Sequence, residues 1–235
     1  MAILKVENLS TGYGKKQVLF NVSLEVNKGD IVLLAGSNGS GKSTLLKAIY
    51  GMLPQWDDGK VVFDGENITG KPTAELLKKG LLYIPQKNNL FEELTVKENL
   101  EMAGLTLDRR LLKERIESVL LLFKVLPPIL NRTPMTLSGG ERQLLALAMA
   151  TLHQPKMILI DEPFAGLSSK NIQFIADNLK ALNERLGITL VIVEHRVKEC
   201  LMIASRVVGM KLGKVLNELS TTKSCELKFL NTIYI

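Results

Sequence analysis

The feature that most narrows what this chain can fold into is the stretch Gly36-Ser37-Asn38-Gly39-Ser40-Gly41-Lys42-Ser43-Thr44. It follows an apolar run, Ile31-Val32-Leu33-Leu34-Ala35, and precedes a helix-like segment, Leu45-Leu46-Lys47-Ala48-Ile49. Strand, glycine-rich turn, Lys-Ser and helix is the context that turns a GxxxxGK[ST] string into a phosphate-binding loop. Glycines permit positive φ and let backbone N–H groups point inward at phosphate oxygens. The helix start beyond them adds unpaired N–H groups and the positive end of a dipole. Lys42 is then placed to reach the β- and γ-phosphates, and the Ser43 hydroxyl to ligate Mg²⁺. The competing reading is a glycine-rich turn that matches by accident. At average composition about one chain in a hundred of this length carries the pattern, so a nucleotide site is favoured.

The 235 residues suit one large domain, or one core with a smaller subdomain. A 46% hydrophobic content supplies a sizeable core, and the net charge of +6 is modest. Lysines and arginines are scattered and aromatics are only 5%, which argues against a nucleic-acid partner. Two cysteines, Cys200 and Cys225, form neither a disulfide framework nor a metal-ligand spacing; that suits a reducing cytosol. Met1-Ala2-Ile3-Leu4-Lys5-Val6-Glu7 lacks the charged-then-apolar pattern of a signal. No apolar run approaches the roughly 20 residues needed to span a bilayer. Work at a membrane therefore calls for another polypeptide to supply the membrane part.

Along the chain, Ile3 to Val6 and Val18 to Val26 read as strands joined by a Thr11-Gly12-Tyr13-Gly14 turn. Asn27-Lys28-Gly29-Asp30 turns into the strand before the loop. Lys60 to Phe63 is a strand, Pro72 opens a short helix closed by Gly80, and Leu81 to Ile84 is a buried strand. From Gln86 to Thr136 strand signals vanish. Thr95-Val96-Lys97-Glu98 is a capping box. A helix over Asp108 to Phe123 carries Leu112, Ile116, Val119, Leu120 and Phe123 on one face and stops at Pro127-Pro128. This block reads as a helical insertion in an α/β core. Beyond it come a helix from Ser138, a strand Met157 to Ile160, a helix Ser169 to Leu186 capped by Gly187, and a strand Thr189 to Val193. A short helix over Val197 to Ala204 precedes a hairpin of Val207 to Met210 and Lys214 to Leu216, turning at Leu212-Gly213.

Two further motifs carry chemistry. Met157-Ile158-Leu159-Ile160-Asp161-Glu162 is an apolar strand ending in two acids. Such a strand delivers Asp161 to the sheet edge, where crevices beyond strand C-termini bind ligands, and there it can share Mg²⁺ with Ser43. Glu162 points elsewhere and is free to polarise an attacking water. Solvated acids at a strand end are the bland alternative, outweighed by the loop upstream. Leu137-Ser138-Gly139-Gly140-Glu141 is a capping box whose glycines bare the helix start to an anion. That makes a second phosphate site; as an isolated string it would be a well-capped helix.

The loop, the LSGGE string, the acidic strand end and their order resemble the ATP-binding subunits of ABC transporters, from Tyr13 to about Glu218. The resemblance implies an α/β fold. Its parts are a P-loop NTPase core (1–85 and 137–218), an N-terminal antiparallel β subdomain, an inserted α-helical subdomain (86–136) and a C-terminal tail (219–235). It implies ATP and Mg²⁺ as ligands, hydrolysis of ATP to ADP and phosphate, and two nucleotides sandwiched in a head-to-tail homodimer or heterodimer. There the signature string of one subunit closes over the γ-phosphate held by the other. By the same resemblance Tyr13 stacks on adenine, Gln86 touches Mg²⁺ and water, and His195 contacts the γ-phosphate. A transmembrane permease docks on the helical subdomain and holds the chain at the inner, cytoplasmic face of the membrane. Ser168 stands where the family usually has Asp, a departure that bears on communication across the dimer interface. The core text, including Asp64-Gly65-Glu66-Asn67-Ile68-Thr69 and Leu94-Thr95-Val96-Lys97-Glu98-Asn99-Leu100, is similar to the subunits serving branched-chain amino-acid import and lipopolysaccharide export. A soluble ABC ATPase of a cytosolic assembly machine, such as one for iron–sulfur cluster delivery, is the alternative. A nucleotide switch without turnover is a further rival. A chromosome-maintenance ATPase would need a long heptad insertion that this interval lacks.

Overall fold

The structure, a computed structural model, describes residues 1–87 and 89–220. Its first half contains β1 (Ala2–Tyr13), β2 (Lys16–Asn27), β3 (Ile31–Ala35), α1 (Lys42–Ile49), β4 (Lys60–Phe63), β5 (Glu66–Asn67), α2 (Thr73–Lys79) and β6 (Leu81–Ile84). Three helices follow: α3 (Val96–Ala103), α4 (Arg109–Leu122) and α5 (Gly139–Thr151). The chain then alternates through β7 (Met157–Asp161), α6 (Ser169–Leu186), β8 (Thr189–Val193) and α7 (Val197–Leu201), and closes on β9 (Arg206–Lys211) and β10 (Lys214–Ser220).

Two sheets result. The N-terminal one is antiparallel, in the order β2-β1-β4-β5, and the second has the order β10-β9-β3-β8-β7-β6, parallel except for the β9–β10 hairpin. Every residue of β3, β7 and β8 is buried, as a parallel sheet covered on both faces requires. Side-chain alternation sorts these strands between two cores. Leu33, Ile158, Ile160, Leu190 and Ile192 face the side covered by α3, α5 and α6. Val32, Leu34, Leu159, Val191 and Val193 face α1 and the antiparallel sheet. Asp161 has the parity of Leu159, so it emerges on the α1 side. The strand pattern alone thus decides which helix the first acid meets.

The described residues between β6 and α5 contain no strand. Val96, Leu100, Val119, Phe123 and Leu126 of this block join the same core as α5. Both capping boxes form, Thr95 with Glu98 and Ser138 with Glu141. Asn99, fully buried, donates through Nδ2 to the Phe91, Leu94 and Thr95 carbonyls and accepts from the Phe91 N–H at 2.9 Å. One amide side chain thereby shapes the whole approach to α3.

Four expectations need correction. The first turn lies at Gly14-Lys15, not across Thr11 to Gly14. Gly12 sits inside β1, where a Cβ would meet the Lys16 carbonyl oxygen at 2.0 Å, so this glycine marks a close backbone approach. Pro72 is the N-cap of α2, one residue before the helix. α4 ends at Leu122, ahead of the proline pair, because Phe123 and Leu126 turn inward to full burial; Pro127–Ile129 is a separate 3-10 turn. β10 runs to Ser220, past the expected tail boundary at 219; the rest of the expected tail lies outside the described residues.

The β9–β10 turn is seated on the rest of the protein through Gly213. Its N–H donates to the Ser40 carbonyl at 3.0 Å and its carbonyl accepts from the Phe20 N–H at 2.9 Å. A Cβ there would lie 1.9 Å from the Val18 oxygen, whereas at Gly187, also at positive φ, a Cβ meets nothing within 4 Å. Gly187→Ala should therefore cost only the left-handed penalty, about 1–2 kcal/mol. Gly213→Ala should cost at least about 3 kcal/mol, because backbone must also move. Urea unfolding of the two variants checks the ordering; equal midpoints would show that the turn yields freely.

Candidate functional site

The site is assembled at the C-terminal edge of the parallel sheet. β3 runs into the glycine loop, where Gly36 packs so closely on β9 that a Cβ would stand 2.3 Å from the Met210 oxygen. Gly39 and Gly41 take positive φ of 78° and 103°. Gly41 is the N-cap of α1 and no side chain caps that helix, so its first-turn amides remain available to an anion. Lys42, Ser43 and Thr44 line a cleft of about 900 Å³ together with Asn38, Gly39 and Gly41. The cleft continues to Tyr13, Gln17 and Val18 on one side and to Glu162 and His195 on the other. Tyr13, at the end of β1 and lining this cleft, is 46% exposed.

Lys42 is almost wholly buried. Its ammonium donates to the Gly36 carbonyl at 2.9 Å, the Ser37 carbonyl at 3.0 Å and the Ser40 hydroxyl at 3.4 Å. Burial lowers its pKa, opposed in turn by Glu162, Asp161 and Glu194. From the first turn of α1 the Ser43 hydroxyl donates to Asp161 Oδ1 at 2.8 Å, and from β6 the Tyr83 hydroxyl donates to Oδ2 at 3.2 Å. Burial raises the pKa of Asp161 against both hydrogen bonds, and burial beside Asp161 raises that of Tyr83.

Glu162 leaves the sheet with φ of 48°, the left-handed region, and its N–H donates to the Val193 carbonyl at 2.8 Å. Gln86 donates through Nε2 to Glu162 Oε2, and His195 Nε2 lies 3.1 Å from Oε1. A carboxylate only accepts, so Nε2 is the protonated ring nitrogen in this arrangement. Two side chains from segments far apart in sequence therefore meet on the Glu162 carboxylate. Gln86 contacts Glu162 here, while the oxygens of Asp161 are engaged by Ser43 and Tyr83.

Mg²⁺ can be tested against these donors. Among the described residues no group of three or more His, Cys, Asp or Glu side chains forms a metal cage. One hydroxyl and one carboxylate, 2.8 Å apart at the loop, are hard oxygen donors. That is the sparse set Mg²⁺ accepts when water and phosphate oxygens complete its octahedron. Ser43 and Asp161 fit.

The signature string lies elsewhere. Leu137 and Gly140 are buried, Ser138 and Gly139 are exposed, and none of Leu137 to Glu141 lines the cleft. Glu141 Oε2 accepts from the Ser138 N–H at 2.7 Å, which holds its carboxyl below the usual range. The α5 start abuts both the loop before α6 and that helix's first turn: a Cβ on Gly139 would touch Leu167, and one on Gly140 would touch Asn171. Ser168 is the N-cap of α6, its hydroxyl accepting from the Asn171 N–H at 3.4 Å.

Sequence reading missed two participants. Tyr83 was visible only as a strand residue; a polar tip on a buried strand three positions before Gln86 was the available signal. Glu194 repeats, one strand over, the pattern of an apolar run ending in an acid, and was passed over beside His195.

Comparison with known proteins agrees with the resemblance drawn from the motifs. The model of a family described as ABC transporter matches residues 19–165. The probable branched-chain amino acid transport ATP-binding protein LivF of Archaeoglobus fulgidus is 39% identical over 213 residues, 91% of this chain and 90% of that protein. The lipopolysaccharide export system ATP-binding protein LptB of Haemophilus influenzae is 37% identical over 220 residues, 92% of this chain and 90% of its own. Among solved structures, a nucleotide-free ATP-binding cassette from an ABC transporter superposes with a TM-score of 0.87 at 32% identity, covering 99% of this chain and 95% of that one. The dimeric cassette MJ0796, bound to ADP and Pi, superposes with a TM-score of 0.79 at 29% identity, covering 93% and 99%. The expected P-loop NTPase fold is borne out, and the chain belongs to the ABC transporter family, whose ATP-binding homologues are ATPases coupled to transport.

Proposed function

We propose that this chain binds and hydrolyses ATP to drive transport through a separate transmembrane permease. It would work as one of two cassettes that sandwich two nucleotides head to tail. The observation that carries the hydrolytic part is the meeting of Gln86 and His195 on Glu162, beside the Ser43–Asp161 pair.

In this reading Tyr13 stacks on the adenine and Gly36 to Thr44 wrap the phosphates. Lys42 exchanges its loop acceptors for β- and γ-phosphate oxygens, so the same ammonium that holds the loop's shape comes to hold the substrate. Ser43 and Asp161 are the residues that would hold Mg²⁺, with Gln86 at its edge; the ion's contribution is to neutralise charge on the phosphates. Glu162 accepts a proton from the attacking water, oriented by Gln86. His195, whose Nε2 proton faces Glu162 in the free protein, would turn it to the γ-phosphate when nucleotide is bound. The Leu137 to Glu141 helix start belongs to the opposite cassette's site, since it does not line the cleft of its own chain.

For the permease we propose the helical subdomain, residues 86–136, at its seam with the core 1–85 and 137–218. A groove of about 320 Å³ runs there past Ile84, Pro85, Leu90, Phe91 and Met149. Phe91 is 47% exposed, and Asn99 holds the loop that carries it. No helix among the described residues is long and apolar enough to cross a membrane, so membrane attachment falls to the partner, with this chain peripheral on the cytoplasmic face. Direction and cargo belong to the partner's translocation path.

Glu162→Gln should retain Mg-ATP affinity and slow hydrolysis by roughly 10²–10⁴, the usual contribution of a general base. Phosphate release and nucleotide titration check this, and normal turnover in the variant would falsify the role of Glu162.

Complementation tests the sandwich. Lys42→Ala loses the loop's grip on phosphate, and Ser138→Arg blocks the α5 start with a bulky cation. Each alone should be inactive. Mixed, half the dimers by random pairing carry one site made of two intact halves, so at most about a quarter of parental activity should return. A mixture shown to contain heterodimer yet devoid of activity would place loop and signature in one chain.

A further inference from the structure

Glu194 is a buried acid with no part in the chemistry above. It directly follows β8 and is 2% exposed. Among the described residues no ion pair reaches its carboxylate; three backbone N–H groups do. Oε1 accepts from Phe164 at 2.7 Å, and Oε2 accepts from His195 at 2.8 Å and Arg196 at 3.0 Å. A buried charge without a cation is costly unless several donors converge on it, and here they do.

The donors belong to the two segments that carry the proposed hydrolytic residues. Phe164 lies two positions after Glu162, and His195 is the histidine itself. Val193, immediately before Glu194, accepts the Glu162 N–H at 2.8 Å, and the His195 ring meets the Glu162 carboxylate at 3.1 Å. The segments are thus joined at the Glu162 backbone, at the Phe164 backbone through Glu194, and at the Glu162 side chain. Glu162 needs that joining. Its φ of 48° is unfavourable for a residue with a Cβ and persists only where surrounding structure over-determines it. Relaxation to an extended φ would swing the carboxylate away from Gln86 and His195.

We propose that Glu194 is a positioning residue for hydrolysis: its carboxylate locks the strained Glu162 backbone and the His195 backbone into one unit. This deepens the reading of Glu162 above and rests on it. Glu194 does not line the nucleotide cleft, and among the acids acting on Lys42 its pull is the smallest. Its loss should therefore be felt in kcat and not in ATP binding. The chemistry of the clamp is specific, because all three partners are donors. A carboxylate only accepts, whereas the glutamine amide would turn an NH₂ toward one or two N–H groups.

Glu194→Gln should lower kcat by about 10- to 100-fold while KM for ATP stays within about twofold. Glu194→Asp, which keeps an acceptor-only head, should retain more activity than Gln, and it supplies the same kcat-against-KM comparison if the glutamine variant fails to fold. In a Glu162→Gln background, adding Glu194→Gln should lower the rate no further, since Glu194 acts through Glu162. Amide hydrogen exchange at Phe164 and His195, protected in the parent, should accelerate in Glu194→Gln. Parental kcat in Glu194→Gln, a matching rise in KM, or a full multiplicative loss in the double variant would overturn the proposal. A Glu162→Gln variant with parental turnover would instead sink the assignment of Glu162. The exchange measurement still judges the clamp in that case, unchanged protection counting against it.

Discussion

The hydrogen bond from the Ser43 hydroxyl to Asp161 joins residues 118 positions apart, and the site depends on it. It exists because two independent periodicities agree. The strand alternation of β7 puts Asp161 on the same face as Leu159, and α1 lies across that face with Ser43 in its first turn. β8 separates β3 from β7 in the sheet, so the bond spans the crevice above β8's end, the kind of sheet edge where α/β proteins bind ligands. Tyr83 on β6 closes the other side of the carboxylate, and Gln86, only three residues on, is thereby brought to Glu162.

The site carries an electrostatic cost. Burial lowers the pKa of Lys42 and raises that of Asp161. Each shift favours the neutral form, so keeping both groups charged opposes folding near neutrality. For Asp161 the penalty is present in full above its raised pKa and disappears as pH falls below the unfolded carboxylate value. For Lys42 it is present in full below its lowered pKa and disappears as pH rises past the unfolded lysine value. A bound polyphosphate would give Lys42 stronger anionic partners than two carbonyls and a hydroxyl. The strained φ of Glu162 adds to this stored cost, and the buried carboxylate of Glu194 sits where that strain is contained.

The signature helix makes a different use of the same physics. α5 begins with a capping box and two glycines, and its start rests against Leu167 and Asn171 on the way into α6. The loop from Phe164 to Ser168 therefore touches Glu194 at one end and the signature at the other. Ser168 in place of the family's usual acid keeps the helix cap while removing a charge from this junction. The segment linking the proposed hydrolytic residues to the proposed dimer-facing surface is short and held by backbone hydrogen bonds.

Much of this was legible in the sequence because the signals are local. Strand β8, helix α6 and its Gly187 cap, the two capping boxes and the glycine loop are dictated by neighbours a few residues apart. Continuous apolar runs also assigned β3 and β7 to a buried sheet, and the loop and acidic motifs singled out Lys42, Ser43, Asp161 and Glu162, which the fold brings to one sheet edge. What sequence left open was everything set by approach between distant segments. Gly12 reads as a turn residue until the Lys16 carbonyl is seen against it, and α4 reads as a helix through Phe123 stopped by the proline pair until Phe123 and Leu126 are seen turning into the core. The local patterns at Tyr83 and Glu194, a polar tip on a buried strand and an acid ending an apolar run, do not say which group each one meets. Their roles arise from a hydrogen bond across 78 residues in one case and 30 in the other. Local dihedral preferences and side-chain alternation are written residue by residue, so the chain determined its own elements. Which buried donor meets which buried acceptor is a property of packing, and only the tertiary structure decided it.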